Sequence, residues 1–227
     1  MTLRALRFSL VVAALAAPLP LPLPLPALAA QSVDATLDRA SAAWAKVKTV
    51  RATFEQTVTN SLTGSTASAR GEFQQQRPHR LAVRFTDPPG DRIVADGKSV
   101  WIYLPSSVPG QVVKRTATDA AATPVDLTGQ FLDDPHAKYV VSDGGSSTVS
   151  GRATKVLTLV PKPGTTVPFT KATVWVDNDD AMIRQFEITE PSGITRRVRI
   201  TSLETNVPVD SDSFTFSVPR GVRVVER

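Results

Sequence analysis

The sequence predicts a mainly β protein, an antiparallel meander bent into a barrel or a strongly curved sheet. Three observations carry this. After Thr49 the chain breaks into many short segments in which apolar and polar residues alternate. Short clusters of Gly, Pro, Asn, Asp and Ser separate those segments, which is the grammar of consecutive hairpins. So many strands in one domain of about 200 residues suit a barrel or curved sheet better than a flat one.

The first residues stand outside that pattern. Arg4 and Arg7 precede the apolar run FSLVVAALAA, residues 8–17, and Leu-Pro repeats lead to Ala27-Leu28-Ala29-Ala30. A positive start, a short apolar stretch and small residues at the end make a secretory leader, residues 1–30, with cleavage expected after Ala29 or Ala30. A membrane anchor needs about 20 apolar residues, and the prolines from Pro18 to Pro26 interrupt this run. The full chain carries a net charge of +5 and no cysteine. The leader holds two arginines and no acid, so the exported chain is only mildly basic. No Lys/Arg cluster interleaves with aromatics, so nucleic acid is not an expected partner. Without cysteine there is no residue for a lipid anchor at the cleavage site, and a soluble periplasmic protein is expected. Residues 31–227 are read as a single domain.

One helix opens that domain. Val33, Leu37, Ala40, Trp44 and Val47 fall at helical spacing, Ser32 or Asp34 can cap it, and Lys46 and Lys48 suit its negative end. The strands follow. In TVRATFEQTVT one face carries Val50, Ala52, Phe54 and Val58. Leu62-Thr63-Gly64-Ser65 is a turn, and ASARGEFQQQ is a polar second strand. The stretch QQQRPHRLAVRF then places Arg77-Pro78 before a strand with Leu81, Val83 and Phe85 on one side. Proline offers no amide donor and biases its predecessor to extended backbone, so the pair suits a strand end. Residues 87–91 are a tight connection, and Asp96-Gly97 is a strong hairpin signal before SVWIYLP. Later strands are QVVKR, KYVVSD, TKVLTLVP, KATVWVD, MIRQFEITE and ITRRVRITSL, with turns at Gly144-Gly145, Asn178-Asp179-Asp180 and Pro191-Ser192-Gly193. Residues 117–134 have no period-two pattern. Pro124 can open a short helix there, with Val125, Leu127, Phe131 and Leu132 as its apolar side.

Catalytic sets are not found. His79 and His136 are the only histidines, and no nucleophile elbow accompanies them. Two distant histidines without cysteine give no zinc pattern, and Asp177, Asp179 and Asp180 lack the spacing of a calcium loop. No cofactor or metal is expected, and the chain is not read as an enzyme. Arg196, Arg197 and Arg199 are read as a solvated strand face. Val100-Trp101-Ile102-Tyr103-Leu104 is apolar on both sides, as in a strand that a helix covers on one face and that lines an interior on the other. Such interiors hold apolar ligands.

Residues 71–105 read G-E-F-x-x-x-R-P-x-x-L-x-V-x-F-x-x-P and then I-V-A-D-G-K-S-V-W-I-Y-L-P. This resembles the periplasmic outer-membrane lipoprotein carrier family, LolA. The start VRATFEQTVT, the segment Thr123-Pro124-Val125-Asp126-Leu127 and the ending FTFSVPRGVRVVE are similar to the family's F-x-Q strand, lid helix and C-terminal block. The resemblance implies an unclosed antiparallel β-barrel with a helical lid over a hydrophobic cavity. It implies a chaperone that takes triacylated lipoproteins from an inner-membrane ABC-type release complex to an outer-membrane receptor, as a monomer. A lipid-binding or envelope-stress-sensing role of the same fold is the alternative. The family's lid contact carries over to Arg77, with Val125, Leu127, Thr128 and Gly129 on the lid. Asp126 and Thr128 stand where better-studied members are more apolar. The residues nominated for the acyl-chain cavity are Phe54, Leu81, Val83, Phe85, Val94, Trp101, Tyr103 and Phe131, each of which ordinary core packing would also explain.

Overall fold

A computed structural model of the chain describes residues 25–116 and 126–226, with side chains from Val33 onward. Most of the leader, and Val125 of the expected lid, lie outside the described residues. The first helix, α1 (Leu25–Ala45), already runs where the Ser32 or Asp34 cap was expected. Its stripe behaves as the spacing requires: Leu37 and Ala40 are fully buried and Trp44 is 2% exposed.

The strands form one sheet in two meanders. The first is β1 (Thr49–Asn60), β2 (Thr66–Gln76), β3 (Arg80–Asp87), β4 (Pro89–Asp96), β5 (Ser99–Tyr103) and β6 (Gln111–Thr116). The chain then passes two short helices, α2 (Gly129–Leu132) and α3 (Pro135–Lys138). The second meander is β7 (Tyr139–Val149), β8 (Arg152–Pro161), β9 (Lys171–Asp177), β10 (Ile183–Thr189) and β11 (Ile194–Thr205). Pairing of β1 with β11 joins the two into one sheet, with β7 at one edge. After a 3-10 turn, Ser211–Phe214, the last strand β12 (Arg223–Glu226) adds parallel to β6 at the other edge. The rest of the ladder is antiparallel. Among the described residues β7 and β12 do not pair, so the barrel is unclosed.

Strong curvature follows from register shifts beside Phe54 in β1, Gly71 in β2 and Thr86 in β3. Each bulge adds a residue on one strand and bends the sheet there. A side chain at Gly71 would collide with the carbonyl of Arg84, so only glycine lets β3 approach. Gly144-Gly145, expected as a turn, is instead a bulge inside β7. Gly144 faces Val156 so closely that a Cβ would stand 2.8 Å from it. The reversal comes later, at Ser150-Gly151, both with positive φ. The concave face carries the core: Val50, Ala52 and Phe54 of β1, Phe73 of β2, and Ile200 of β11, covered by α1 and by Phe131 and Leu132 of α2.

Candidate functional site: a latched apolar cavity

Beside that core the concave face encloses a cavity of about 550 Å³. Its walls are built by strand parity. Phe54, Leu81, Val83 and Phe85 point inward from β1 and β3, and Phe186, Ile188 and Val198 face them from β10 and β11. Leu127 and Gln130 close one end. A volume in the range of about 300–1,000 Å³ with mostly hydrophobic walls is that of a binding pocket rather than a packing defect.

A polar latch stands over the closed end. Arg77 leaves the β2–β3 connection, held by its own amide on Lys48 O at 2.9 Å. Its Nε donates to Asp126 Oδ2 at 2.9 Å and its Nη2 to Asp133 Oδ1 at 3.2 Å. Nη1 donates to the carbonyls of Trp44 at 2.8 Å and Val47 at 3.3 Å, at the end of α1, where Trp44 O also accepts from Val47 N at 2.9 Å. The guanidinium also lies 5.1 Å from the centre of the Trp44 ring. Trp44 Nε1 in turn donates to Asp126 Oδ2 at 3.3 Å. The other oxygen of Asp126 accepts from the amide of Gly129, the first residue of α2, at 2.7 Å. One carboxylate thus starts the lid helix and fastens it to the barrel. Arg77 and Asp126 are only 17% and 15% exposed, so water screens the pair little.

Two further contacts seat the lid. Ser41 Oγ donates to Leu132 O at 2.7 Å, and Tyr139 Oη donates to Gln130 O at 2.7 Å. Burial pushes the Tyr139 hydroxyl up to about 12, so it keeps its proton and remains a donor at neutral pH. Asp133 is pushed above the usual carboxylate value by burial and by the charge of Asp126, against the pull of Arg77 and Lys138.

Of the residues named for the lid contact, Arg77 reaches the lid segment, but its partner is Asp126, with Asp133 beside it. Leu127 lines the cavity. Thr128 is buried, and Gly129 meets the Asp126 carboxylate so closely that no side chain would fit. Of the cavity residues, Phe54, Leu81, Val83 and Phe85 line it. Phe131 does not: it belongs to the lid helix itself and is fully buried against Phe169 and Phe186. Val94, Trp101 and Tyr103 are also corrected. In β4 and just past β5 it is Ile93 and Leu104 that line the cavity, and alternation sends Val94, Trp101 and Tyr103 to the opposite face. There Phe216 stacks on Trp101 at 5.3 Å, Arg92 lies over Phe216 at 5.1 Å, and Lys114 lies over Trp101 at 5.4 Å. A strand apolar on both sides gives no sequence signal for which side is which. The covering residue, Phe216, is more than a hundred positions away.

Sequence reasoning also passed over the far rim of the cavity. Gln56, Ser68, Asp91, Ser106, Glu190 and Arg196 line it. Asp91 is occupied, accepting from Ser106 N at 3.0 Å and Ser106 Oγ at 2.6 Å. Arg196 was read as part of a solvated run. Arg197 and Arg199 fit that reading, pairing with Glu187 and Gln185 on the outer face, but Arg196 turns inward.

The profile described as "Outer membrane lipoprotein carrier protein LolA" matches residues 45–217. An outer-membrane lipoprotein carrier protein of Methylibium petroleiphilum is 31% identical over 188 residues, covering 80% of this chain and 84% of that protein. One from Proteus mirabilis is 27% identical over 181 residues, 79% and 82% of the two chains. Among solved structures, an uncharacterized conserved protein from Thermus thermophilus superposes with a TM-score of 0.52 at 13% identity, covering 86% of this chain and 98% of that one, a likeness of fold. With residues 45–217 matched, most of the chain, the protein belongs to the LolA family of outer-membrane lipoprotein carrier proteins.

Proposed function

We propose that the protein is a periplasmic carrier. It takes lipoproteins released from the inner membrane, shields their acyl chains in the cavity, and delivers them to an outer-membrane receptor. Its leader is cut after Ala29 or Ala30, and it works as a monomer. Its chemistry is binding, not catalysis. The release complex of the inner membrane and the outer-membrane receptor are its partners, and triacylated lipoproteins its cargo.

The observation that carries this reading is an apolar cavity whose lid is fastened by a polar, breakable contact, Arg77 to Asp126. Each acyl methylene removed from water is worth about 0.8 kcal/mol, so acylated cargo needs such shelter to cross an aqueous space. The cargo must also leave, which requires an empty closed state near the loaded one in energy. The latch supplies that closed state. A cavity of about 550 Å³ is room for one modest ligand, so three chains enter only with the lid displaced. Loading then breaks the Arg77–Asp126 contact, and unloading lets it re-form.

The experiment is extraction. The purified protein, offered membranes containing a triacylated lipoprotein and the release complex, should form a soluble one-to-one complex with the lipoprotein and pass it to receptor-bearing membranes. A protein that never brings the lipoprotein into solution is not a carrier.

A further inference from the structure

The rim opposite the latch has its own chemistry. Strand register separates the two ends. Val50 and Gln75 pair at the latch end, whereas Val58 pairs with Ala67 and with Arg196 at the other. On β11 the inward file runs Ile200, Val198, Arg196, so a guanidinium ends a row of aliphatic side chains. Gln56 and Ser68 flank it on β1 and β2. Glu190 lies 3.6 Å from Arg196, an ion pair too long to be a hydrogen bond. The Arg196 side chain is 38% exposed, within reach of a ligand. Asp91, the other carboxylate of the rim, has both oxygens engaged by Ser106. The rim therefore offers a cation whose five donors are not used up by its neighbour, at the mouth of an apolar cavity sized for a single ligand.

We propose that the latched protein has a second ligand class: a single-chain amphiphile with an anionic head. The tail lies along Phe85, Val83 and Leu81 toward the lid, and the carboxylate or phosphate head takes charge-assisted hydrogen bonds from Arg196. The fork of an arginine matches either head. Gln56 and Ser68 complete the polar end. Glu190 tunes the site: its charge holds Arg196 in place and opposes the incoming anion. Loading of this ligand leaves the Arg77–Asp126 latch closed, and the proposal stands whether or not the protein carries lipoproteins.

The test uses displacement of a fluorescent apolar probe from the purified protein by palmitate, monopalmitoyl lysophosphatidate and hexadecanol. The expected result is at least about tenfold tighter binding of one or both anionic ligands than of the alcohol. Tighter palmitate marks a carboxylate site, and tighter lysophosphatidate a phosphate site. Arg196→Gln should bring the anionic ligands to the level of hexadecanol while leaving hexadecanol itself unchanged, which shows the cavity intact. Arg196→Lys should keep part of the preference, and Glu190→Gln should increase it. Equal binding of all three ligands by the unmodified protein, an unchanged preference in Arg196→Gln, or no displacement by any of them would overturn the proposal.

Discussion

Arg77 Nε donates to Asp126 Oδ2 at 2.9 Å, while Asp126 Oδ1 accepts from Gly129 N at 2.7 Å. A single carboxylate therefore both holds the first amide of the lid helix and forms the far half of the latch. Asp126→Asn separates the two jobs, because an amide oxygen can still accept from Gly129 N, while Arg77 Nε loses its charged partner and only Asp133 is left to pair with the guanidinium. The expected loss is about 1–3 kcal/mol of lid closure, the value of a hydrogen bond between charged groups. Hydrogen exchange at the amides of residues 126–132 should accelerate, and binding of an apolar dye should rise, with little change in the unfolding midpoint. Arg77→Leu should open the lid further, because Asp133 and the carbonyls of Trp44 and Val47 each lose a donor as well. Lid exchange unchanged in both variants would show that the contact does not hold the lid.

The neighbouring Asp133 should behave in the opposite way. Burial and the charge of Asp126 raise its pKa above the ordinary value, against the pull of Arg77. A carboxyl raised in the folded state binds its proton first there. Its contribution to stability is therefore complete below the unfolded value near about 3.9, and is lost as pH rises through the higher folded value. At neutral pH Asp133→Asn should leave stability equal or higher, and should remove part of any gain seen on acidification toward pH ~4. Thermal unfolding of both proteins across that range measures the difference. A large loss at neutral pH in Asp133→Asn would mean that its bond to Arg77 outweighs the repulsion from Asp126.

Cavity and outer face can be told apart by two substitutions. Val83 lines the cavity, so Val83→Trp should fill it and reduce uptake of an apolar probe severalfold. Trp101 stacks on Phe216 outside, so Trp101→Ala should cost about 1–3 kcal/mol of stability yet leave probe uptake intact. Loss of probe binding in Trp101→Ala, without unfolding, would place Trp101 on the cavity after all.

That pair of residues also marks where the sequence stops being legible. Phe54, Leu81, Val83 and Phe85 could be placed because each alternates with polar or small neighbours, and one buried face is all that period two has to specify. In β5 both faces are apolar, one packed into the core through Val100 and Ile102 and one against Phe216, so the pattern carries no sign. The latch was half legible. Arg77 stood out beside a proline at a strand end, but Asp126 as its partner depends on the lid folding back over α1, which no local pattern encodes. The inward turn of Arg196 was hidden for another reason: a run of three arginines on one strand reads as a wet face until the sheet's curvature decides which parity is enclosed.

Gly71 tests the curvature directly. Gly71→Ala should push the β3 carbonyl of Arg84 away and press on Phe54, whose ring carbons would lie 3.0 Å from the new methyl. Overpacking of this kind costs about 1–3 kcal/mol, and here it also displaces a cavity wall. Both the unfolding midpoint and probe affinity should fall together. A neutral Gly71→Ala would mean that the β2–β3 bulge can relax without moving Phe54.

A last prediction concerns a carboxylate remote from the cavity. Asp177, at the end of β9, is fully buried and is held by Arg152 and by Arg184 Nε at 2.9 Å, with Asp179 N donating to its other oxygen at 2.8 Å. Burial alone would raise its pKa, but those donors outweigh it and hold the carboxyl well below the usual range. A depressed carboxyl contributes stability that is present above the unfolded value and is lost as pH falls through the folded one. The contribution of Asp177 should therefore be intact at neutral pH, begin to fade only below pH ~4, and fade completely only in strong acid. Asp177→Asn should cost about 1–3 kcal/mol at neutral pH through weakened charged hydrogen bonds, and that cost should shrink on acidification. Lid exchange and probe affinity should not move, because the β9–β10 turn lies outside both latch and cavity. If Asp177→Asn released the lid as Asp126→Asn should, the network around the two arginines would be coupled to the latch, and structural and functional ion pairs would not be separate in this molecule.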